Sequence, residues 1–196
     1  MEVKLLAITP DADKIIEQAG RTCYMSFEKM NATSAEDFIR RIVNAGHESV
    51  LEHAYATFRI RGCSRAMTHQ LVRHRLMAVS QQSQRYVNET AFEYVTPESI
   101  PAEFVDDYRA DMAAIQAMYE KWRDRGLKKE DARFVLPNAC CSEIVVSADF
   151  REWRHIIKMR TSSKAQWEIR MAAKEILRIL SDHSKAIFGD LAQEIL

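Results

Sequence analysis

Two hydrophobic periods share the chain. Apolar residues run almost together from Val3 to Thr9 and stop at Pro10, which predicts a strand. Asp11 then caps a helix ending near Gly20. Ser34, followed by Glu36 and Asp37, opens a second helix with Phe38, Ile42 and Val43 on one face and Gly46 as its stop. Between Ala54 and Arg61 the period falls to two. Ala54, Ala56, Phe58 and Ile60 take one side and Tyr55, Thr57, Arg59 and Arg61 the other, giving a strand with one buried face that Gly62 breaks. Ser64 starts a helix that carries Met67 and Leu71 and runs into Arg73. After a turn from Pro97 to Pro101, Ala102 to Arg125 places Phe104, Tyr108, Met112, Ile115, Tyr119 and Trp122 at helical steps, ended by Gly126. That stripe reads as core or subunit interface. Cys140 to Ala148 is rich in Ile and Val and predicts a buried strand. Asp149 to Thr161 is a helix with Trp153, Ile156 and Ile157 apolar, which leaves Arg151, His155 and Arg160 to face a site or solvent. Ala165 to Phe188 is a final helix with Ile169, Ala173, Ile176, Leu180 and Ile187 as its stripe. The expected class is α+β, one domain over residues 1–196, with a central, largely antiparallel sheet flanked by long helices. The pattern carries no strand order.

Composition narrows the function classes. The 196 residues are 47% hydrophobic, enough to bury a substantial core. Lys and Arg total 28 and so do Asp and Glu, so no global field draws the chain to nucleic acid or an anionic membrane, and any anion site is local. Cys23, Cys63, Cys140 and Cys141 form no CxxC pair, which argues against a structural zinc. The first residues lack a cationic lead with a long apolar run, and no stretch reaches membrane-spanning length, so a reduced cytoplasm is the expected setting.

The chemistry concentrates between Arg73 and Tyr86. Arg73, His74 and Arg75 read alone as the cationic last turn of a helix. The continuation Ser80-Gln81-Gln82-Ser83-Gln84-Arg85 adds neutral donors and a further guanidinium, a set that suits a nucleotide-like anion. Arg-His-Arg, a seven-residue spacer, Ser83, Arg85 and an aromatic residue together resemble the signature of the flavin-dependent thymidylate synthases. Other blocks carry the same resemblance: His47-Glu48-Ser49, Gln70, Glu130 to Pro137, Asp149 to Arg160, and Gln166-Trp167-Glu168. The six-residue step from His47 to His53 turns the two rings apart, so no metal reading survives there.

The resemblance implies reductive methylation of dUMP to dTMP, with FAD as cofactor, NADPH as reductant and methylenetetrahydrofolate as carbon donor. It implies a homotetramer with active sites where subunits meet, and no nucleic-acid partner, membrane or metal. It assigns Gln70, Arg73, Gln81, Gln82, Ser83, Gln84, Arg85 and Arg133 to the nucleotide, and Arg160 to the nucleotide and to catalysis by activating the pyrimidine. It assigns Ser49, Arg73, His74, Arg75, Gln81, Asp149, Phe150, Arg151 and His155 to the flavin, and places His47 near the reacting faces. From spacing alone, an ion pair with Glu130 explains Arg133 equally well. Several positions depart from the common pattern: Ser80 for Asn, Gln81 for Glu, Cys23 for Ser, Lys164 for His, and Asp149 for an amide able to donate as well as accept.

The residues present agree with that chemistry. No cysteine lies in a recognisable activating motif, and the flavin route needs no thiolate. Only five glycines occur and none forms GxGxxG, which disfavours a Rossmann flavoenzyme and points to side chains gripping the cofactor across a subunit interface. A nucleic-acid-binding module with a basic helix end is the rival reading, and the balanced charge opposes it. A helical oligomerisation protein explains the aromatic stripe but not the donor-rich stretch.

Overall fold

In the computed structural model, which describes residues 1–196, four strands form an antiparallel sheet. β1 (Glu2–Ile8), β2 (Tyr55–Ser64), β3 (Met77–Gln81) and β4 (Cys141–Asp149) lie in the order β1-β2-β4-β3. The helices are α1 (Ala12–Thr22), α2 (Ser34–Asn44), α3 (Arg65–Leu71), α4 (Val105–Asp124), α5 (Lys129–Ala132), α6 (Phe150–Arg160), α7 (Trp167–His183) and α8 (Lys185–Ile195). None is long and apolar enough to cross a membrane. The chain clusters into two compact units. One comprises residues 1–2, 60–72 and 80–144, and the other residues 3–59, 73–79 and 145–196.

In the second unit the core forms where the alternating face of β2 meets α6. Ala56 and Phe58 are buried, Trp153 donates its Nε1–H to the Ala56 carbonyl at 3.0 Å, and its ring stands edge-on to Phe58 at 5.1 Å. Phe150 and Phe188 pack edge-on at 5.2 Å. Each such buried apolar side chain contributes roughly 1.5–3 kcal/mol, so Phe150, Trp153, Ile156 and Ile157 together fix the rotation of α6 about its axis. That rotation leaves Arg151 and His155 exposed.

Several expectations need correction. Asp11 precedes α1 in a left-handed conformation (φ 48°) and makes no side-chain cap; its carboxylate pairs with Lys14 instead. Gly20 does not stop α1. It lies where a Cβ would meet Phe38 at 2.4 Å, so the glycine permits close approach of α2. Gly62 (φ 68°) does not break β2, which continues to Ser64. Cys140 to Ala148 is less enclosed than its apolar composition suggests, because β4 alternates buried and half-buried positions. The stretch after the Arg-His-Arg motif contains a strand, β3, that the hydrophobic pattern does not mark. The final helix is two, with Ser184 (φ −147°, ψ 97°) between α7 and α8 and its hydroxyl donating to Asp13 Oδ1 at 2.6 Å.

Other expectations hold. Ser64 caps α3 by accepting from the Met67 N–H at 3.0 Å, and Gly46 and Gly126, both at positive φ, follow α2 and α4. Of the apolar stripe, Met112 and Tyr119 of α4 are buried while Phe104, in the 3₁₀ turn before it, stays exposed.

Candidate active site

The first unit gathers the donor-rich stretch. Gln81 closes β3 with its Nε2 donating to Thr68 Oγ1 at 3.0 Å and Ser142 Oγ at 3.1 Å. Gln82 donates its backbone N–H to the Glu143 carbonyl at 2.8 Å and its Nε2 to Glu89 Oε1 at 3.2 Å. The chain then turns on Ser83, whose carbonyl accepts from Tyr86 and Val87 and whose hydroxyl accepts from the Arg85 N–H at 3.3 Å. Gln84 is buried, and its Nε2 has no acceptor within the protein. An unsatisfied buried donor costs about 1–3 kcal/mol.

Arg85 and Glu130 form an ion pair at 3.1 Å, half-exposed on both sides. Arg133 lies beside them, its Nε donating to the Glu130 backbone carbonyl at 3.1 Å. The expected alternative for Arg133, a side-chain ion pair with Glu130, is therefore corrected: that carboxylate serves Arg85, and Arg133 uses the main chain. Lys129 Nζ reaches the Tyr86 carbonyl at 2.8 Å. Gln70 donates to the Ala66 carbonyl of its own helix at 3.1 Å. Cys140 is buried, and its thiol is pushed up to about 12 by burial and then by the Glu89 charge, so it supplies no thiolate at neutral pH.

The second unit gathers the other cations around α6. Asp149 accepts the Glu152 N–H at 2.8 Å and caps the helix; Phe150 lies in the core and gives its N–H to the Ala54 carbonyl at 2.8 Å. Both side chains, which the sequence resemblance assigns to the flavin, thus serve the fold. Arg151 pairs with Glu52. Arg154, which sequence reasoning missed, is 1% exposed and anchors three partners. It meets Asp190 at 2.7 and 2.6 Å, Glu48 at 3.2 Å, and the Ile187 carbonyl. Lys158 also faces Glu48, at 3.6 Å. The 3₁₀ segment Glu48–His53, carrying exposed Ser49, is therefore held to α6 by ion pairs at both ends.

Arg160, at the end of α6, donates its Nε–H to Nε2 of His74 at 2.9 Å. Burial and then the Arg73 charge push its pKa down from the usual guanidinium value. His74 is buried with its ring 5.8 Å from that of His155, and its Nδ1 is 3.5 Å from Glu152 Oε1. Arg73 and Arg75 are exposed on either side of it in the chain. Burial, then the Arg160 and His155 charges, push the imidazole down to about 4.

Below its ordinary value near 6.5 a solvated imidazole takes a proton that folded His74 refuses until about pH 4. The unfolded chain therefore binds more protons in that window. The His74 contribution to stability is complete above about pH 6.5 and declines as pH falls toward 4. His74→Gln is expected to flatten that part of the curve of melting temperature against pH; equal slopes in the two proteins would remove His74 as the cause.

A cavity of about 600 Å³ in the second unit is a poor anion site. Asp11, Asp13 and Glu36 line it, and carboxylates repel phosphate.

A family model for the thymidylate synthase complementing protein matches residues 4–184. A flavin-dependent thymidylate synthase of Geobacter sulfurreducens is 42% identical over 200 residues, covering 97% of this chain and 86% of the relative. One from Corynebacterium glutamicum is 43% identical over 204 residues, covering 94% and 82%. The crystal structure of thymidylate synthase X from Helicobacter pylori with FAD and dUMP aligns with a TM-score of 0.77 at 28% identity, covering 98% of this chain and 99% of that one.

Proposed function

The chain belongs to the flavin-dependent thymidylate synthase family, and from that premise we propose how its residues share the work of a FAD-dependent enzyme that methylates dUMP. Gln82, Ser83, Gln84 and Arg85 hold the nucleotide phosphate, with Arg133, Gln70 and Gln81 completing that end. Ser49, Arg73, Arg75, Arg151 and His155 receive the flavin, with His74, Asp149 and Phe150 setting the surface it meets. Guanidinium, hydroxyl and imidazole groups fit a cofactor with a pyrophosphate and a hydrogen-bonding ring. Held by these residues, reduced flavin would supply the reducing equivalents for the methylation. NADPH as reductant, methylenetetrahydrofolate as donor, a cytoplasmic setting and a homotetramer with active sites at subunit interfaces complete the reading.

The protein's own task is to bind, orient and polarise. Methylation at C5 requires electron density to shift within the uracil ring, and negative charge grows on N3 and its flanking carbonyl oxygens. A fixed guanidinium stabilises that charge without proton transfer, which is the role given to Arg160. No thiol adds to the ring.

The observation that carries this reading is the pair of guanidinium groups on the Ser83 turn and beside it, the half-exposed Arg85 and Arg133, gathered around Glu130. A phosphate supplies acceptors to both. The purified protein is expected to be yellow, and added dUMP to perturb the flavin absorbance. Losing a charge-assisted fork costs about 1.5–3 kcal/mol, so Arg85→Ala is expected to weaken dUMP binding by about 100-fold with the absorbance in its absence unchanged. A titration identical to wild type would remove the phosphate from this turn.

A further inference from the structure

We propose that Glu152 is a positioning residue for Arg160, acting through His74: its carboxylate holds the ring tautomer whose Nε2 lone pair receives the Arg160 Nε–H and aims the guanidinium. The proposal deepens the role given above to Arg160 and rests on that reading.

The chemistry of the contacts leaves one proton arrangement. A guanidinium Nε–H can only donate, so the ring nitrogen 2.9 Å from it, His74 Nε2, must present a lone pair. A neutral imidazole then carries its single proton on Nδ1, and that atom faces Glu152 Oε1 at 3.5 Å. The ring is held neutral at physiological pH, since burial and the neighbouring cations push it down to about 4. The groups facing it are Glu152, His155 and Arg160 from α6, with Arg73 preceding it in the chain.

Glu152 has no other evident task. Its backbone N–H, not its carboxylate, makes the helix cap with Asp149. The carboxylate is nearly buried, with burial and then nearby Asp149 opposing its ionisation, the latter after a partial offset from His155. Burying a carboxylate costs several kcal/mol, which a packing role alone does not require. Without it only the Arg160 contact favours the Nδ1–H form, and the two neutral tautomers compete. The one with a proton on Nε2 sets two donors against each other and turns Arg160 away.

The experiment compares wild type with Glu152→Gln, which keeps an acceptor oxygen facing Nδ1, and Glu152→Leu, which has none. The tautomer of His74 is read by ¹⁵N NMR at pH 7 in the free protein, and turnover and dUMP affinity are measured in parallel. Wild type and Glu152→Gln are expected to show the Nδ1–H form and similar turnover. Glu152→Leu is expected to mix the tautomers and lower kcat about tenfold, with the flavin absorbance unchanged. A ring that keeps the Nδ1–H form in Glu152→Leu, or equal losses of turnover in both variants, overturns the proposal. Should Glu152→Leu not fold, an Nε2–H or doubly protonated ring in wild type or Glu152→Gln overturns it equally. Absence of dUMP binding in wild type would instead sink the function given to Arg160, while the tautomer would still report on Glu152.

Discussion

Replacing Arg160 by alanine is expected to cut turnover by about 100- to 1000-fold, the usual cost of removing one preorganised donor from developing negative charge. Folding should survive, because Arg160 is the last residue of α6 and only half-buried, and the helix is seated by Trp153, Ile156 and Ile157. The loss should fall on kcat more than on dUMP affinity, since the phosphate end is assigned to other residues. Arg160→Lys should rescue little: one ammonium cannot both donate a fixed N–H to His74 Nε2 and present a planar fork to the base. Single-turnover methylation with reduced enzyme, alongside the flavin spectrum, makes the test. Turnover within threefold of wild type, an order-of-magnitude bound, would remove Arg160 from the reacting centre.

The largest effect on stability is expected at Arg154. Removing one partner of a buried pair typically costs 3–5 kcal/mol because the other charge is left uncompensated. Asp190 is 45% exposed and Glu48 22%, so water recovers part of the loss. Arg154→Ala is therefore placed near 3 kcal/mol, the lower end of that range. Arg154→Met should recover part of it by filling the space left by the side chain. Burial opposes ionisation of Asp190, but the Arg154 hydrogen bonds and charge outweigh it and hold the carboxyl below its usual range. Stability from this pair is thus present above the ordinary aspartate value of 3.8 and is lost as pH falls through the lower folded one. Arg154→Ala should abolish that acid-limb contribution. It should also loosen flavin binding, because Glu48 begins the segment that carries Ser49. Denaturant melts at pH 7 and below pH 4 decide the matter, and an unchanged midpoint would mean that the network contributes nothing net.

The strands and helices were legible wherever one face was apolar and the other polar. β2 and α6 emerge from their periodicity, and Arg151 and His155 were placed outside by exclusion. Arg154 hides in the pattern because a charged residue reads as exposed. At about 100° per residue it falls roughly 40° from Phe150, inside the buried arc, and that angle was the available signal. The break between α7 and α8 was hidden because the apolar stripe continues through Ile187 across it; only Ser184, a capping residue type, marked the place. Gly20 was ambiguous for a different reason. A glycine at a helix end and a glycine under a crossing helix look alike until Phe38 is seen above it. The partners of Arg85 and Arg133 were likewise out of reach, since the Arg85 partner is 45 residues away in the chain.

On the role proposed for the Ser83 turn, the Arg85–Glu130 pair places a tethered carboxylate on the guanidinium that would meet phosphate. An incoming nucleotide meets a seat already taken by a tethered carboxylate, so its affinity measures one anion exchanged for another rather than the full attraction of a bare cation. A singly charged competitor gains little from such a swap, whereas a phosphomonoester, with more charge and more acceptor oxygens, gains enough to displace the incumbent. On that proposed role, discrimination against simple carboxylates begins in the resting protein itself.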